Sequence, residues 1–375
     1  MAQTRKGGSF YRGLIKILSK GKRTVYGKRL PGFLQPILQR FVKPYLPPKV
    51  LMLAVTYKCQ AKCVHCGMDN YIKKQMTELS REEISLVLDQ AAAMGIEYMY
   101  YFGGEPLVRP DFVDLVRDAA KRGFEVRFDT NALLLDKTMM KRLTDAGKIY
   151  IVGISIDSPD PAEHDDNRKV PGSFDAVVKA IGHCREAGIP VHLSYYVTKN
   201  GLHNGDLARV IELGKKWKVS GIRLMSPIIC GRLLDSPEMK FTTEEEQKLA
   251  TYFEPGFVYK EQDDLSEDYK CPAFKREYVY ISPYGEVQPC CFVPLHFGNV
   301  RDDSLETILD RMWGNKLFHG SDDQCLGFGL SFDDSVMDSP KGRFPLDFRD
   351  KEVREEQGSF GCGCNCSEKD SCTKS

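Results

Sequence analysis

From residue 50 onward the chain alternates between two hydrophobic periods. Short β-branched or aromatic runs at Val50–Thr56, Glu97–Phe102, Glu125–Thr130, Tyr150–Ile156, Val191–Val197 and Gly221–Met225 read as strands. Between them, apolar residues recur every three or four positions over Ser80–Met94, Asp111–Arg122, Asp136–Ala146, Phe174–Ala187 and Asn204–Lys216, which predicts amphipathic helices. Gly95, Gly123, Gly147 and Gly188 follow four of these as C-caps. The alternation implies an α/β fold, a parallel sheet with helices outside it forming a partial or closed barrel. Functional groups on such sheets gather at the C-terminal strand ends.

The rhythm stops near Ile229. A polar helical stretch at Thr242–Phe253 leads into a Cys-, Asp- and Pro/Gly-rich region with one hairpin pattern, Tyr278–Ser282, then Pro283-Tyr284-Gly285, then Val287. Its apolar content is too low to hold a core, which predicts a small metal-stapled domain over 255–375 behind a barrel domain over 49–240. Residues 1–48 read as a separate extension of two amphipathic helical pieces, around Phe10–Leu18 and Phe33–Phe41, ended by Pro44, Pro47 and Pro48.

Charge changes this picture. The 375 residues carry a net charge of +1, but residues 1–50 hold twelve Lys or Arg and no acid, which leaves −11 on the rest. A basic head on an acidic body predicts peripheral contact with an anionic membrane through residues 1–43. The alternative is that the head wraps the open side of the barrel. No apolar run reaches the roughly 20 residues of a bilayer span, and Lys or Arg interrupts every apolar segment at the start, so a cytoplasmic location is expected. No nucleic-acid recognition motif accompanies the basic residues. Thirteen cysteines in a reducing compartment read as metal ligands rather than disulfides.

Cys59, Cys63 and Cys66 follow the first strand in the frame C-x-x-x-C-x-x-C. Three thiolates on one loop can hold three corners of an iron–sulfur cube and leave the fourth iron for an exogenous ligand. A zinc site or unrelated thiols are the alternatives; His65 points elsewhere if both its neighbours ligate.

With this triad on the loop after the first strand, the chain resembles the radical S-adenosylmethionine (AdoMet) superfamily over roughly residues 50 to 300. The resemblance implies a partial (β/α)6 TIM-like barrel, a [4Fe–4S] cluster on Cys59, Cys63 and Cys66, and AdoMet as cofactor. It implies reductive cleavage of AdoMet to a 5′-deoxyadenosyl radical that abstracts hydrogen from a substrate, with a flavodoxin or ferredoxin-type reductant. Gly103-Gly104-Glu105-Pro106 resembles the element that holds the methionine amino group. A glycine pair lets backbone approach a ligand, and a carboxylate complements an ammonium. Thr130-Asn131 resembles the family's TN(G) element, with Ala132 in place of glycine. Ser155 and Asp157 fall where polar side chains meet the AdoMet ribose or carboxylate, and His164-Asp165-x-x-Arg168 resembles the stretch that follows. Arg168 could clamp a carboxylate; helix capping and a surface ion pair are the structural alternative. Val197–Asn200, Leu224 and Met225 match places that pack adenine, or else barrel core.

Cys271, Gly285 and Cys290 fit C-x13-G-x4-C and, with Gly298-Asn299-Val300, resemble SPASM/Twitch domains that hold auxiliary [4Fe–4S] clusters. The full ligand pattern is absent; Cys325 and the terminal Cys362, Cys364 and Cys366 compete for the remaining places, so one auxiliary cluster is expected, with a second left open. A zinc-stapled tail is the alternative. Cys184 reads as core filler and Cys230 as a candidate hydrogen donor. The basic head favours a small-molecule or lipid-like substrate; a maturase acting on a ribosomally made peptide is the alternative, and a non-catalytic iron–sulfur electron carrier the non-enzyme one.

Overall fold

A computed structural model describes residues 47–73, 75–233, 236–260, 271–319 and 345–349. The basic head, Cys325 and the cysteines from 362 onward lie outside these residues.

The six expected strands form: β1 (Val50–Thr56), β2 (Tyr98–Gly103), β3 (Glu125–Thr130), β4 (Ile149–Ile156), β5 (Val191–Tyr196) and β6 (Gly221–Met225). All pair in parallel with their sequence neighbours. Outside them pack α1 (Arg81–Met94), α2 (Phe112–Lys121), α3 (Lys137–Ala146), α4 (Pro161–Arg168), α5 (Ser173–Glu186), α6 (Lys199–His203), α7 (Asp206–Trp217) and α8 (Thr243–Ala250). Local signals start and stop these helices. The Ser80 and Glu83 side chains form a reciprocal capping box at α1, and Gly95 ends it in the left-handed conformation, φ 86°. Gly147 differs from the expected left-handed cap: its φ of 175° is extended backbone.

The sheet does not stop at Ile229. β7 (Val258–Lys260) adds in parallel beside β6, and β8 (Tyr278–Ile281) adds in parallel beside β1, carrying β9 (Val287–Gln288) as an antiparallel edge. The strand order is β7-β6-β5-β4-β3-β2-β1-β8-β9. The expected hairpin thus exists, but it flanks the strand that precedes the triad. Gly285, φ 92°, makes its turn, where a Cβ would lie 2.5 Å from Asn299 Oδ1. α9 (Leu305–Trp313) packs against α1 and β9.

The two faces of the sheet differ. Met99, Tyr101, Val126, Phe128, Ile154 and Leu224 face the helices and are buried, each at 0% exposure. On the concave face Tyr98, Tyr100, Phe102, Glu125, Arg127 and Asp129 remain partly exposed. A barrel filled by its own side chains would bury branched apolar residues there. This interior is polar, aromatic and reachable. Among the described residues no helix is long and apolar enough to cross a membrane.

Candidate active site

The cysteine loop leaves β1 at the C-terminal end of the sheet and is pinned from two sides. Lys62 N donates to the Arg168 carbonyl at 3.1 Å and Val64 N to the Asn167 carbonyl at 3.0 Å, at the end of α4. From the turn after β6, Arg232 Nη1 donates to the carbonyls of Lys62 at 2.8 Å and Cys63 at 2.9 Å, while Arg232 N donates to the Cys66 carbonyl at 3.0 Å. A Cβ on Gly231 would lie 2.1 Å from that Cys66 oxygen, so only glycine lets the turn come this close.

The Gly103-Gly104 pair serves the same loop. Gly104 N donates to the Thr56 carbonyl at 2.8 Å and Glu105 N to the Lys58 carbonyl at 2.9 Å. A Cβ would lie 2.2 Å from Thr56 O at Gly103, and 2.3 Å from Lys58 O at Gly104. The close approach expected toward a ligand is therefore made to the chain's own backbone. Glu105 is held within the chain as well. Its carboxylate is fully buried and accepts from Thr130 Oγ1 at 2.8 Å, Asn131 N at 2.7 Å and Leu107 N at 3.1 Å. Burial pushes its pKa up to about 7 against those three bonds.

Asn131 does face the triad, with Nδ2 3.6 Å from Cys59 Sγ and Oδ1 3.3 Å from Gln60 Nε2. Ala132 sits at φ 70°, the left-handed position that glycine would take in the resembling element. Arg168 clamps a carboxylate, and it is that of Asp157: Nε reaches Oδ2 at 2.5 Å and Nη2 reaches Oδ1 at 2.7 Å. The pair is buried, not on the surface. Burial disfavours the charged Asp157, yet the Arg168 guanidinium holds its pKa below the usual carboxylate range. His65 stacks on Tyr196 at 4.1 Å and lies 3.7 Å from Asp157 Oδ1. Ser155 lies opposite Ser194 on the concave face, and Met225 is partly exposed at the end of β6.

Two hydroxyls that the sequence did not single out complete this end of the sheet. Tyr196 Oη on β5 and Ser226 Oγ just after β6 are buried without a hydrogen-bond partner. Orphaned buried hydroxyls are rare, and a polar ligand at the strand ends would satisfy them. Burial pushes the Cys63 thiol up to about 11, so a thiolate there needs the charge of bound iron. Among the described residues, no three His, Cys, Asp or Glu side chains close on a single metal ion. Three free thiols on a pinned loop, a donor to Cys59 Sγ and two orphaned hydroxyls fit an iron–sulfur group with a polar nucleotide beside it.

Cys271 and Cys290 bracket the β8–β9 hairpin, both buried, with Cys291 next to Cys290. Tyr278 Oη donates toward Cys290 Sγ at 3.9 Å. Cys184 is core, 3.8 Å from Met140 Sδ. Cys230 Sγ lies 3.0 Å from where a Cβ of Gly67 would be, next to the triad.

A partial barrel with a three-thiol loop at its mouth, and a second pair of thiols on a hairpin beside β1, defines the class of AdoMet enzymes with auxiliary iron–sulfur domains. Residues 53–214 match the radical SAM superfamily and residues 271–325 match SPASM, an iron–sulfur cluster-binding domain. The chain belongs to the radical SAM superfamily, as an enzyme with a SPASM domain, and its cofactors are a [4Fe–4S] cluster, AdoMet and auxiliary iron–sulfur clusters. It is 26% identical over 292 residues to a PqqA peptide cyclase of Granulibacter bethesdensis, covering 74% of this chain and 77% of that one. It is 25% identical to an AdoMet-dependent heme synthase of Methanosarcina barkeri, over 70% of this chain and 82% of that one. In fold it is similar to Streptococcus suis SuiB bound to S-adenosylmethionine, with a TM-score of 0.59 and 17% identity over 82% of this chain and 78% of SuiB. SuiB bound to its precursor peptide SuiA matches with a TM-score of 0.57 and 18% identity, over 73% of this chain and 66% of that one.

Proposed function

We propose that this enzyme is a maturase that modifies a ribosomally made peptide. The observation that carries the reading is the similarity to a PqqA peptide cyclase along 74% of the chain. It favours a peptide over the small-molecule or lipid-like substrate expected from the basic head, which lies outside the described residues. A carboxylate-bearing tetrapyrrole is the second reading, favoured by the heme synthase relative.

In this reading Cys59, Cys63 and Cys66 hold the cluster, and Cys271 and Cys290 anchor an auxiliary one, with Cys325, Cys362, Cys364 and Cys366 as candidates for its remaining ligands. When bound, the cluster and AdoMet supply a 5′-deoxyadenosyl radical for hydrogen abstraction. The chain's own residues orient and exclude. Arg232 and the α4 end fix the loop that carries the thiols. Gly103, Gly104, Glu105 and Pro106 set the wall beside it, with Glu105 acting by holding the Thr130–Asn131 turn rather than by reaching the ligand. Asn131 donates to the Cys59 sulfur. Tyr196, Ser226, Ser155 and Met225 offer hydroxyls and a thioether to the nucleotide, and the Asp157–Arg168 pair places a guanidinium behind the thiolates. A flavodoxin or ferredoxin-type protein delivers the electron.

Anaerobic incubation of the reconstituted full chain with AdoMet and dithionite tests the chemistry. 5′-Deoxyadenosine is expected from the wild type and none from Cys63→Ala. Peptide mass maps of cells with and without the enzyme test the substrate. A mass shift in one short encoded peptide supports the reading, and an altered metabolite with unchanged peptides overturns it.

A further inference from the structure

The turn after β3 brings a side-chain amide to the thiol loop. Asn131 is buried, 7% exposed, and its Nδ2 lies 3.6 Å from Cys59 Sγ. The other half of the amide fixes which atom faces the sulfur. Asn131 Oδ1 accepts from Leu133 N at 3.1 Å and from Gln60 Nε2 at 3.3 Å. A backbone N–H only donates, so the amide oxygen sits toward Leu133 and the NH2 toward Cys59. The backbone of the turn is held as firmly. Asn131 N donates to Glu105 Oε2 at 2.7 Å and Thr130 Oγ1 to Glu105 Oε1 at 2.8 Å. Ala132, at φ 70°, donates from its N to Thr130 Oγ1 at 3.0 Å. The amide therefore meets Cys59 from a turn anchored on a buried carboxylate, with little freedom left to lose.

The thiol loop supplies donors of its own. Ala61 N donates to Cys59 Sγ at 3.4 Å, and Met68 N and Asp69 N face Cys66 Sγ. These are backbone groups, which any sequence in this loop conformation offers. Asn131 reaches in from another strand end, 72 residues along the chain, and depends on the identity of one side chain. Cys63 has the Arg168 guanidinium as a charged neighbour.

We propose that Asn131 sets the reduction potential of the cluster held by Cys59, Cys63 and Cys66, acting through the Cys59 sulfur as a positioning residue. Hydrogen bonds to ligating sulfurs, together with net charge and solvent exposure, fix where an iron–sulfur couple titrates. The N–H directs its positive end at the sulfur, so it stabilises the state with the extra electron more than the state without it. The cluster is then easier for a protein reductant to fill. The inference rests on the placement of the cluster on these three thiols and is independent of which substrate the enzyme takes.

The test is a potentiometric titration of the anaerobic full-length holoenzyme with dithionite and mediators, read by electron paramagnetic resonance. The signal that changes on adding AdoMet reports the cluster on the Cys59 loop, and the auxiliary signal is the internal reference. Asn131→Ala removes the donor without adding charge. Asn131→Asp keeps an oxygen toward Leu133 N and sets a carboxylate beside the sulfur. At a fixed solution potential, the reduced-to-oxidised ratio of the AdoMet-sensitive cluster is expected to fall on the order of tenfold in Asn131→Ala, a midpoint lower by about 59 mV for a one-electron couple, and further in Asn131→Asp. The auxiliary midpoint is expected to stay where it is. An unmoved midpoint in either variant that keeps its iron, or an equal shift of the auxiliary signal, overturns the proposal. So does loss of the cluster from both variants, because the side chain then serves to build the loop. These outcomes leave the cluster placement standing; a wild type with no AdoMet-sensitive signal overturns that placement and the proposal with it.

Discussion

Arg168 and Asp157 form a buried two-pronged ion pair, at 2.5 and 2.7 Å, that ties the last residue of α4 to the segment just after β4. Through the Arg168 carbonyl the same residue holds Lys62 of the cysteine loop. Arg168→Leu would strand a buried carboxylate, so a loss of about 3–5 kcal/mol is expected in urea unfolding. The double variant with Asp157→Asn should recover part of it. A double variant as unstable as the single would show that the lost packing, not the orphaned charge, dominates.

Glu105 and Asp129 are expected to tilt stability with pH in opposite senses. Glu105 has its pKa raised from 4.5 to about 7, so between those values the folded chain binds more protons than the unfolded one. Stability then falls as pH rises through that window, on the order of 3 kcal/mol, and Glu105→Gln should remove the slope. Asp129 is the reverse. Burial opposes its charge, but Arg223 and Arg127 hold its pKa down to about 2, below its ordinary 3.8. Its contribution is present above pH 4 or so and is lost on acidification toward pH 2, on the order of 2 kcal/mol. Urea midpoints of wild type and of each variant across pH check both signs.

Gly104→Ala drives a methyl group to 2.3 Å from the Lys58 carbonyl, so either the cysteine loop or the end of β2 must move. A destabilisation of about 2–3 kcal/mol is expected, together with reduced iron retention after anaerobic reconstitution. Iron content equal to wild type would mean that the loop tolerates the shift.

Ala132 holds a left-handed conformation, φ 70°, at little gain to its own side chain. Ala132→Gly should raise stability by about 1 kcal/mol, read as an increase in the thermal midpoint. No increase would locate the constraint in the Thr130 and Asn131 hydrogen bonds instead.

Arg232→Ala removes both guanidinium contacts to the loop carbonyls, from a side chain that is one-third exposed. Stability should drop by only about 1 kcal/mol. Iron loss to a chelator should quicken, since the loop between Lys62 and Cys66 loses its outer strut. Chelation kinetics unchanged from wild type would assign the loop's rigidity to the α4 side alone.

Much of the barrel could be read directly from the chain. β1, β3 and β6 fall on their expected residues, because a parallel strand under helices writes its burial into a short local run. β7 has three residues, too few for a period, and β8 was legible as half of a hairpin but not as the neighbour of β1. The Glu125–Thr130 alternation was visible as well, yet it does not say which strand's arginine meets Asp129.

By itself, then, the sequence determined the spacing of the thiols, the β/α rhythm and the cysteine-bearing tail, all features whose chemistry lies within a few neighbouring residues. Only the tertiary structure decided what Gly103, Gly104, Glu105 and Arg168 touch, that Arg232 and Tyr196 lie against the cysteine loop, and that Arg127 and Arg223 meet Asp129 on the concave face. Those depend on strand register and on backbones that meet across 25 to 170 residues of chain, where sterics and Coulomb forces act but local periodicity carries no signal.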